Sequence, residues 1–139
     1  MPDNEGLLFV VSQWVEKAEN DLTAAVHILK LGSECPEEIV CFHVQQCIEK
    51  YLKALLVYES IDFVKTHSLK TLMDQIPLNI RPDLSVEEQE MITNYAVFTR
   101  YPGNYETVSL TKARAAVRIA RRVRKHVREL LPKIRPPKS

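Results

Sequence analysis

The sequence predicts an all-α protein: an up-and-down four-helix bundle with an additional short helix, about five helices in all. Glycine occurs only three times in 139 residues, and no segment shows the apolar–polar alternation that strands require. Apolar residues recur instead in steps of three and four, which places them on one face of an α-helix. A chain of this length can bury one continuous core. We therefore expect a single helical domain over residues 1–139, with its core at about 8–130 and a frayed tail at 132–139.

Long apolar stripes predict the first two helices. The first is expected over roughly residues 7–31, with Gly32 ending it because glycine readily adopts the left-handed conformation found after helix ends. The second is expected to start at Pro36, whose ring suits the first helical position, and to reach about Tyr58. The predicted stripes are Val11, Trp14, Ala18, Leu22, Ala25 and Leu29 in the first helix, and Val40, Val44, Cys47, Tyr51, Leu55 and Tyr58 in the second.

Capping residues predict the other helices. Ser68 can cap a short third helix, and Ser85 with Glu88 forms a capping box for a fourth helix that ends near Phe98. Pro102-Gly103 predicts a turn over residues 100–105, after which Ser109 or Thr111 caps the last helix. The expected buried sides are Leu69, Leu72, Met73 and Ile76 in the third helix, and Ala116, Ala120, Val123, Val127 and Leu130 in the last.

Composition excludes several classes of protein. Hydrophobic residues form 45% and charged residues 27% of the chain, which excludes intrinsic disorder for most of it. No apolar run reaches the ~18 residues of a membrane span, so we expect a cytoplasmic protein without membrane contact. The even spacing of Cys35, Cys41 and Cys47 suits neither a CxxC pair nor a zinc site, and no glycine-rich phosphate loop is present. We therefore predict no metal and no cofactor, and a buried Cys47.

Charge is divided unequally along the chain. Residues 109–139 contain 11 Lys or Arg and one Glu, a net charge of 11 − 1 = +10, whereas residues 1–108 carry 8 − 17 = −9. Within the last helix, steps of four and three place five basic residues on one face: Arg114, Arg118, Arg121, Lys125 and Arg128. Like charges at this spacing destabilise a helix. Three explanations stay open: an acidic surface of this protein or of a dimer partner, a nucleic acid, or no partner.

A second polar face lies on the predicted second helix. His43, Gln46, Lys50 and Lys53 follow in steps of three and four, with Glu49 beside them. Cations there could neutralise phosphate, and an aromatic ring could stack on a base. The candidate ligand-binding residues are Lys50, Lys53, Lys65, His67, Arg100 and Tyr101. The alternative is that Glu49, His67 and Arg100 form a buried polar network that joins helices.

Several of these motifs occur in an order that resembles a known family. Trp14 and Ala18-Glu-Asn-Asp-Leu22 precede Phe42-His-Val-Gln-Gln-Cys-Ile-Glu-Lys-Tyr-Leu-Lys-Ala54. Lys65-Thr-His-Ser-Leu69 and Arg100-Tyr-Pro102 follow. Over roughly residues 8–130 the chain resembles the HEPN family (higher eukaryotes and prokaryotes nucleotide-binding domains). The resemblance implies a helical bundle, commonly a homodimer, often encoded beside or fused to a small nucleotidyltransferase.

The resemblance also raises the question of catalysis. Family branches that cut RNA use Arg-x(4–6)-His in the region near Arg100, where imidazole moves a proton and guanidinium stabilises phosphorane charge. Here residues 101–106 contain no histidine, and Tyr105 stands in its place. A phenol with a pKa near ~10 is a poor base at neutral pH. The literal Arg-x4-His match, Arg121 to His126, lies within the last helix, where the two residues point about 140° apart.

The first hypothesis is therefore a non-catalytic HEPN module. It would be a homodimeric subunit that associates with a nucleotide or RNA and works with a minimal nucleotidyltransferase in a toxin–antitoxin-like or stress-related pair. No catalytic residue is assigned. The alternatives are a metal-independent endoribonuclease with Arg100 in its site and an unidentified base, and an oligomerisation scaffold.

Overall fold

Five α-helices form the structure, a computed structural model that describes residues 4–98 and 108–131. They are α1 (Asn4–Leu29), α2 (Glu37–Tyr58), α3 (Leu69–Gln75), α4 (Val86–Phe98) and α5 (Leu110–Leu130). Two 3₁₀ turns, Gly32–Glu34 and Leu78–Ile80, lie between them, and the described ranges contain no strand. The predicted all-α class is confirmed. None of the helices within these ranges has the length and apolar character that crossing a bilayer requires.

The central element is α2, which contacts each of the other four α-helices. Its most extensive contact is with α1, because a short connection folds the two back on each other. Twelve of the 22 residues of α2 are buried, including the polar Gln45 and Glu49. The predicted stripe from Val40 to Leu55 is buried, but Tyr58 is 42% exposed because it ends the helix. The buried polar side chains of α2 must therefore form their hydrogen bonds inside the bundle.

Three predicted N-caps are present. The Ser68 hydroxyl accepts a hydrogen bond from the Thr71 amide at 3.2 Å, and the Ser109 hydroxyl accepts one from the Lys112 amide at 3.1 Å. Ser85 and Glu88 exchange hydrogen bonds of 3.0 and 3.1 Å, which completes the capping box. Each cap satisfies amide groups that the first helical turn leaves without an intrahelical acceptor.

Three helix ends differ from the prediction. The first helix spans residues 4–29 instead of 7–31, and Gly32 lies in the following 3₁₀ turn with φ of +60°. Pro36 is the N-cap of α2 rather than its first helical residue, with extended backbone angles of φ −75° and ψ 90°. Helix boundaries depend on local hydrogen bonds that apolar periodicity does not specify.

The core is wider than the predicted stripes. Val15 on α1, and Ala113 and Val117 on α5, are buried beside the residues that periodicity identified. A helix packed against more than one neighbour buries a broad face instead of a single line. All three cysteines are buried and carry free thiols, which confirms the prediction for Cys47. The predicted turn at 100–105 and tail at 132–139 lie outside the described residues.

Candidate functional site

A buried carboxylate, Glu49, organises the polar face of α2. It accepts hydrogen bonds from Gln45 Nε2 at 2.8 Å, His67 Nδ1 at 2.8 Å and Lys53 Nζ at 3.0 Å. Gln45 is itself fully buried, and its carbonyl accepts a hydrogen bond from Gln46 at 2.7 Å. We call Gln45, Glu49, Lys53 and His67 the Glu49 network. It joins α2 to the segment that precedes α3. Of the alternative buried network of Glu49, His67 and Arg100, the structure describes the Glu49–His67 contact, with a half-exposed His67 side chain, and Arg100 lies outside the described residues.

The Glu49 network holds its carboxylate in the charged form. Burial alone would raise the pKa of Glu49, but the hydrogen bonds from His67, Gln45 and Lys53 outweigh burial and lower this pKa below its ordinary value. Three donors to one ionised carboxylate compensate the loss of hydration. In the ion pair of His67 with Glu49, the His67 side chain is half-exposed and lies on the outer side.

Lys53 is also enclosed by aromatic rings. Its ammonium group lies 5.3 Å from the ring centroid of Trp14 and 5.4 Å from that of Phe63. The two rings contact each other edge to face, with their centroids 6.1 Å apart. A cation between a carboxylate and two π faces is well satisfied. These contacts therefore disfavour movement of Lys53 toward an external phosphate.

Lys50 is neutralised by a different carboxylate. Its Nζ donates to Asp21 on α1 at 2.6 Å, and His43 Nδ1 lies 2.9 Å from the other oxygen of the same carboxylate. Sequence reasoning did not assign Asp21 a role, although it belongs to the Ala18–Leu22 motif. The available signal was its position: an aspartate near the middle of α1, opposite the cationic face of α2.

The six candidate ligand-binding residues do not meet as a group in the described ranges. Lys50 and Lys53 share a face of α2, as predicted, but each has its own carboxylate. Lys65 is exposed, and His67 belongs to the Glu49 network. Arg100 and Tyr101 lie outside the described residues.

An open apolar cleft of about 560 Å³ lies where α1 begins and α2 ends. Leu7, Val57, Ile61 and Phe63 line it, with Ser60 and Asp62 as its polar residues. Among the described residues no cation lines this cleft, so the lining that they form does not suit a phosphate group. Within the described ranges, no group of three or more His, Cys, Asp or Glu side chains is arranged to hold a metal ion.

The basic residues of α5 divide into two sets. Arg122 binds both oxygens of Glu88 on α4, at 2.9 and 3.0 Å. Arg124 and Arg128 both bind Glu19 on α1, at 2.9 Å. The others on the predicted face form no ion pair with any carboxylate of residues 4–98 or 108–131, and all are exposed: Arg114, Arg118, Arg121 and Lys125. We call these four residues the α5 row. The predicted acidic surface of the same protein therefore accounts for Arg128 alone among the five.

Glu19 lies next to a second buried polar group. The Tyr51 hydroxyl is buried and has no hydrogen-bond partner among the described residues, and its pKa is raised, first by burial and then by the nearby Cys47 and Glu19. The Glu19 carboxylate itself is satisfied by its two arginines. This arrangement fixes α5 against α1 and determines where the α5 row ends.

The literal Arg-x4-His match does not form a site in this fold. His126 Nε2 lies 2.7 Å from the Ile80 carbonyl oxygen and donates to it, whereas Arg121 is exposed. The helix separates the two side chains, as the 100° advance per residue requires.

Comparison with known proteins agrees with this architecture. The HEPN domain model matches residues 11–130. The chain is similar to the crystal structure of TT1696 from Thermus thermophilus, with a TM-score of 0.73 and 25% identity over 87% of this chain and 98% of that one. It is also similar to ST0689, an archaeal HEPN homologue, with a TM-score of 0.67 and 26% identity over 87% of this chain and 97% of that one. No curated protein matches the chain. The family match covers nearly all of the helical bundle, and the chain therefore belongs to the HEPN family.

Proposed function

We propose that this protein is a non-catalytic HEPN module, a homodimeric subunit that associates with a nucleotide or RNA. The observation that carries the association is the exposed positive charge of α5, which no carboxylate of the described residues neutralises along the α5 row. A one-signed surface of this kind attracts polyanions. A minimal nucleotidyltransferase is the protein partner that the HEPN resemblance implies, in a toxin–antitoxin-like or stress-related pair.

The non-catalytic role is supported by the residues after Arg100. The six positions 101–106 are Tyr, Pro, Gly, Asn, Tyr and Glu, with no imidazole to accept a proton. His126, the later histidine, is engaged by the Ile80 carbonyl on the inner side of α5. General base catalysis at neutral pH needs a group whose pKa lies near 7, and this stretch supplies none.

An endoribonuclease is the second candidate, and one observation favours it. Glu49 is buried and ionised and holds the half-exposed His67 ring at 2.8 Å, an arrangement that can orient an imidazole for proton transfer. His67 is therefore the residue that such an activity would use with Arg100.

RNA cleavage tests these two functions against each other. We expect no cleavage when mixed-sequence RNA is incubated with the purified protein in the presence of a chelator. Cleavage that disappears in both His67→Gln and Arg100→Ala would establish the endoribonuclease instead. Cleavage that persists in both variants would indicate a contaminating nuclease, and repeating the assay after further purification should then show none.

The partner is tested separately. If the reading frame beside this one encodes a short nucleotidyltransferase with a Gly-Ser and a paired-Asp motif, we expect its product to co-elute with this protein after co-expression. Separate elution of the two purified proteins at micromolar concentration would contradict the partnership without affecting the association with RNA.

A further inference from the structure

We infer that the α5 row is a binding surface for the sugar–phosphate backbone of single-stranded RNA, independent of base sequence. This inference rests on the proposed function and assigns the association to four residues, Arg114, Arg118, Arg121 and Lys125, instead of the lysines of α2. The division of charge on α5 is its main support, because the fold neutralises some arginines of this helix and leaves a continuous line of cations exposed.

The geometry of the row is linear. Steps of four, three and four residues keep the four side chains within about 60° around the helix, and eleven residues at ~1.5 Å each spread them over about 16 Å. Arg122 projects to one side of this line and binds Glu88 on α4, whereas Arg124 and Arg128 project to the other and bind Glu19 on α1. The row is therefore the outward ridge of α5 between those two contacts.

The energetics of the row indicate an external anion. Cations spaced four residues apart on one helix repel each other, at a few tenths of a kcal/mol for each pair. The protein shows that it can neutralise α5 where contacts with α1 and α4 allow it, since Glu19 alone binds two arginines. Along the ridge no described carboxylate does so, and a bound anion would relieve the repulsion.

The side chains of the α5 row favour phosphate over carboxylate as the anion that binds. They also favour the sugar–phosphate backbone over the bases as the part of the RNA that they contact. Three of the four residues are arginines, whose planar forks bind phosphate in a bidentate manner. No aromatic residue occurs in α5 apart from His126, which is bound to Ile80, so the row offers no stacking platform for a base. Contacts limited to phosphates determine position and affinity but do not read sequence.

The shape of the ridge favours a single strand. A helix packed into the side of a bundle cannot enter the deep, narrow major groove of an A-form duplex. A flexible strand, in contrast, can lie along a straight row of cations and bring successive phosphates to each of them.

Salt dependence of binding tests the inference quantitatively. The dissociation constant of a labelled 12-nucleotide oligouridine is measured by fluorescence anisotropy between 50 and 200 mM KCl. Four phosphate contacts with a single strand predict a slope of log K against log[salt] of about −2.8. Arg118→Gln/Arg121→Gln removes two contacts, and we expect a slope shallower by about 1.4 together with an affinity at least tenfold weaker at the lowest salt concentration.

The matched control variant removes two positive charges at positions outside the α5 row. Lys17 on α1 and Lys30 just beyond it are exposed and lie off the row, so Lys17→Gln/Lys30→Gln should keep both the slope and most of the affinity. Far-UV circular dichroism of both variants must show the helicity of the unaltered protein. Oligoadenosine should bind with a similar slope, because the row does not read bases.

The other outcomes separate failure of the inference from failure of the proposed function. If the row variant binds like the unaltered protein while Lys50→Gln/Lys53→Gln loses binding, the row assignment is wrong and RNA association stands. If polyglutamate of equal charge competes as well as RNA does, the row is a surface for acidic protein. If no RNA binds even at 50 mM KCl, both the inference and the association fail.

Discussion

Among single residues, the cysteines give a direct test of core packing. Burial raises the pKa of the Cys41 thiol to about 12, and burial also raises the pKa of Cys47 well above its ordinary value. Only the thiolate attacks a disulfide reagent. We expect a thiol-reactive disulfide reagent at pH 8 to react slowly with the native protein and with three thiols after unfolding in guanidinium chloride. Rapid reaction of Cys41 or Cys47 in the native state would contradict this packing.

Glu49 should make stability depend on pH in the acid range. Because its pKa in the folded protein is lowered, the contribution is fully present above the unfolded pKa of about 4.3 and is lost as pH falls through the lowered folded pKa. Glu49→Gln leaves Lys53 and His67 without their carboxylate. We expect a loss of about 3 kcal/mol at pH 7, the lower end for breaking a buried pair, since Lys53 keeps its contacts with Trp14 and Phe63.

Urea unfolding of Glu49→Gln and of the unaltered protein from pH 7 to pH 3 measures this contribution. The difference in unfolding free energy should shrink as the pH falls below about 4.3. Glu90→Gln, on the exposed side of α4, is the matched control and should leave stability nearly unchanged. If the unfolding free energies of Glu49→Gln and of the unaltered protein differ by the same amount at every pH, the charge of this carboxylate does not contribute to stability.

At the scale of the helices, Glu19 limits the number of cations that α5 presents. Glu19→Gln removes the charge that binds Arg124 and Arg128, both of which lie beside the α5 row. We expect tighter binding of oligouridine and a salt slope steeper by up to about 1.4, the value for two added phosphate contacts. A slope equal to that of the unaltered protein would mean that the released arginines do not reach the strand.

Glu16→Gln serves as the control for this variant. Glu16 also lies on α1 and forms no ion pair among the described residues, so the substitution changes net charge equally without releasing an arginine. An equal increase in affinity for Glu16→Gln would attribute the effect to total charge instead of the row.

The helices themselves were largely predictable because their signals are local. Ser68, Ser109 and the Ser85–Glu88 pair each act within one turn of their own helix, and apolar steps of three and four identify the buried faces. The start of α1 and the two 3₁₀ turns were not predicted, since they depend on how the connections close over the bundle. Tyr58 follows the periodic stripe, yet it is exposed because no described residue covers it at the end of α2.

The candidate site was less predictable because its decisive contacts join different helices. Spacing correctly predicted that Lys50 and Lys53 share a face, but the carboxylate that binds Lys50 comes from α1, 29 residues earlier in the chain. Likewise, spacing predicts a five-residue face on α5, and only the tertiary position of Glu19 separates Arg128 from the other four. Charge pairing between helices depends on packing geometry, which one helix alone does not encode.

At the scale of the whole molecule, we expect a dimer. The separation of charge between residues 1–108 and 109–139 favours self-association, and HEPN domains commonly dimerise. Light scattering coupled to size exclusion at low micromolar concentration should give about twice the 16.0 kDa mass of the chain. A mass of one chain across that range would contradict the dimer, and the same measurement at high salt would reveal how much of the association is electrostatic.

The α5 row also affects how the protein encounters a polyanion in solution, before the two molecules are in contact. The chain is nearly neutral, with a net charge of +1 and an isoelectric point of about 7.7, yet its two unequal parts carry +10 and −9. The four exposed cations of the α5 row concentrate positive potential on one side of the described bundle, and an approaching polyanion is attracted first to that side. Encounters then start in a productive orientation, so salt should slow the association rate constant.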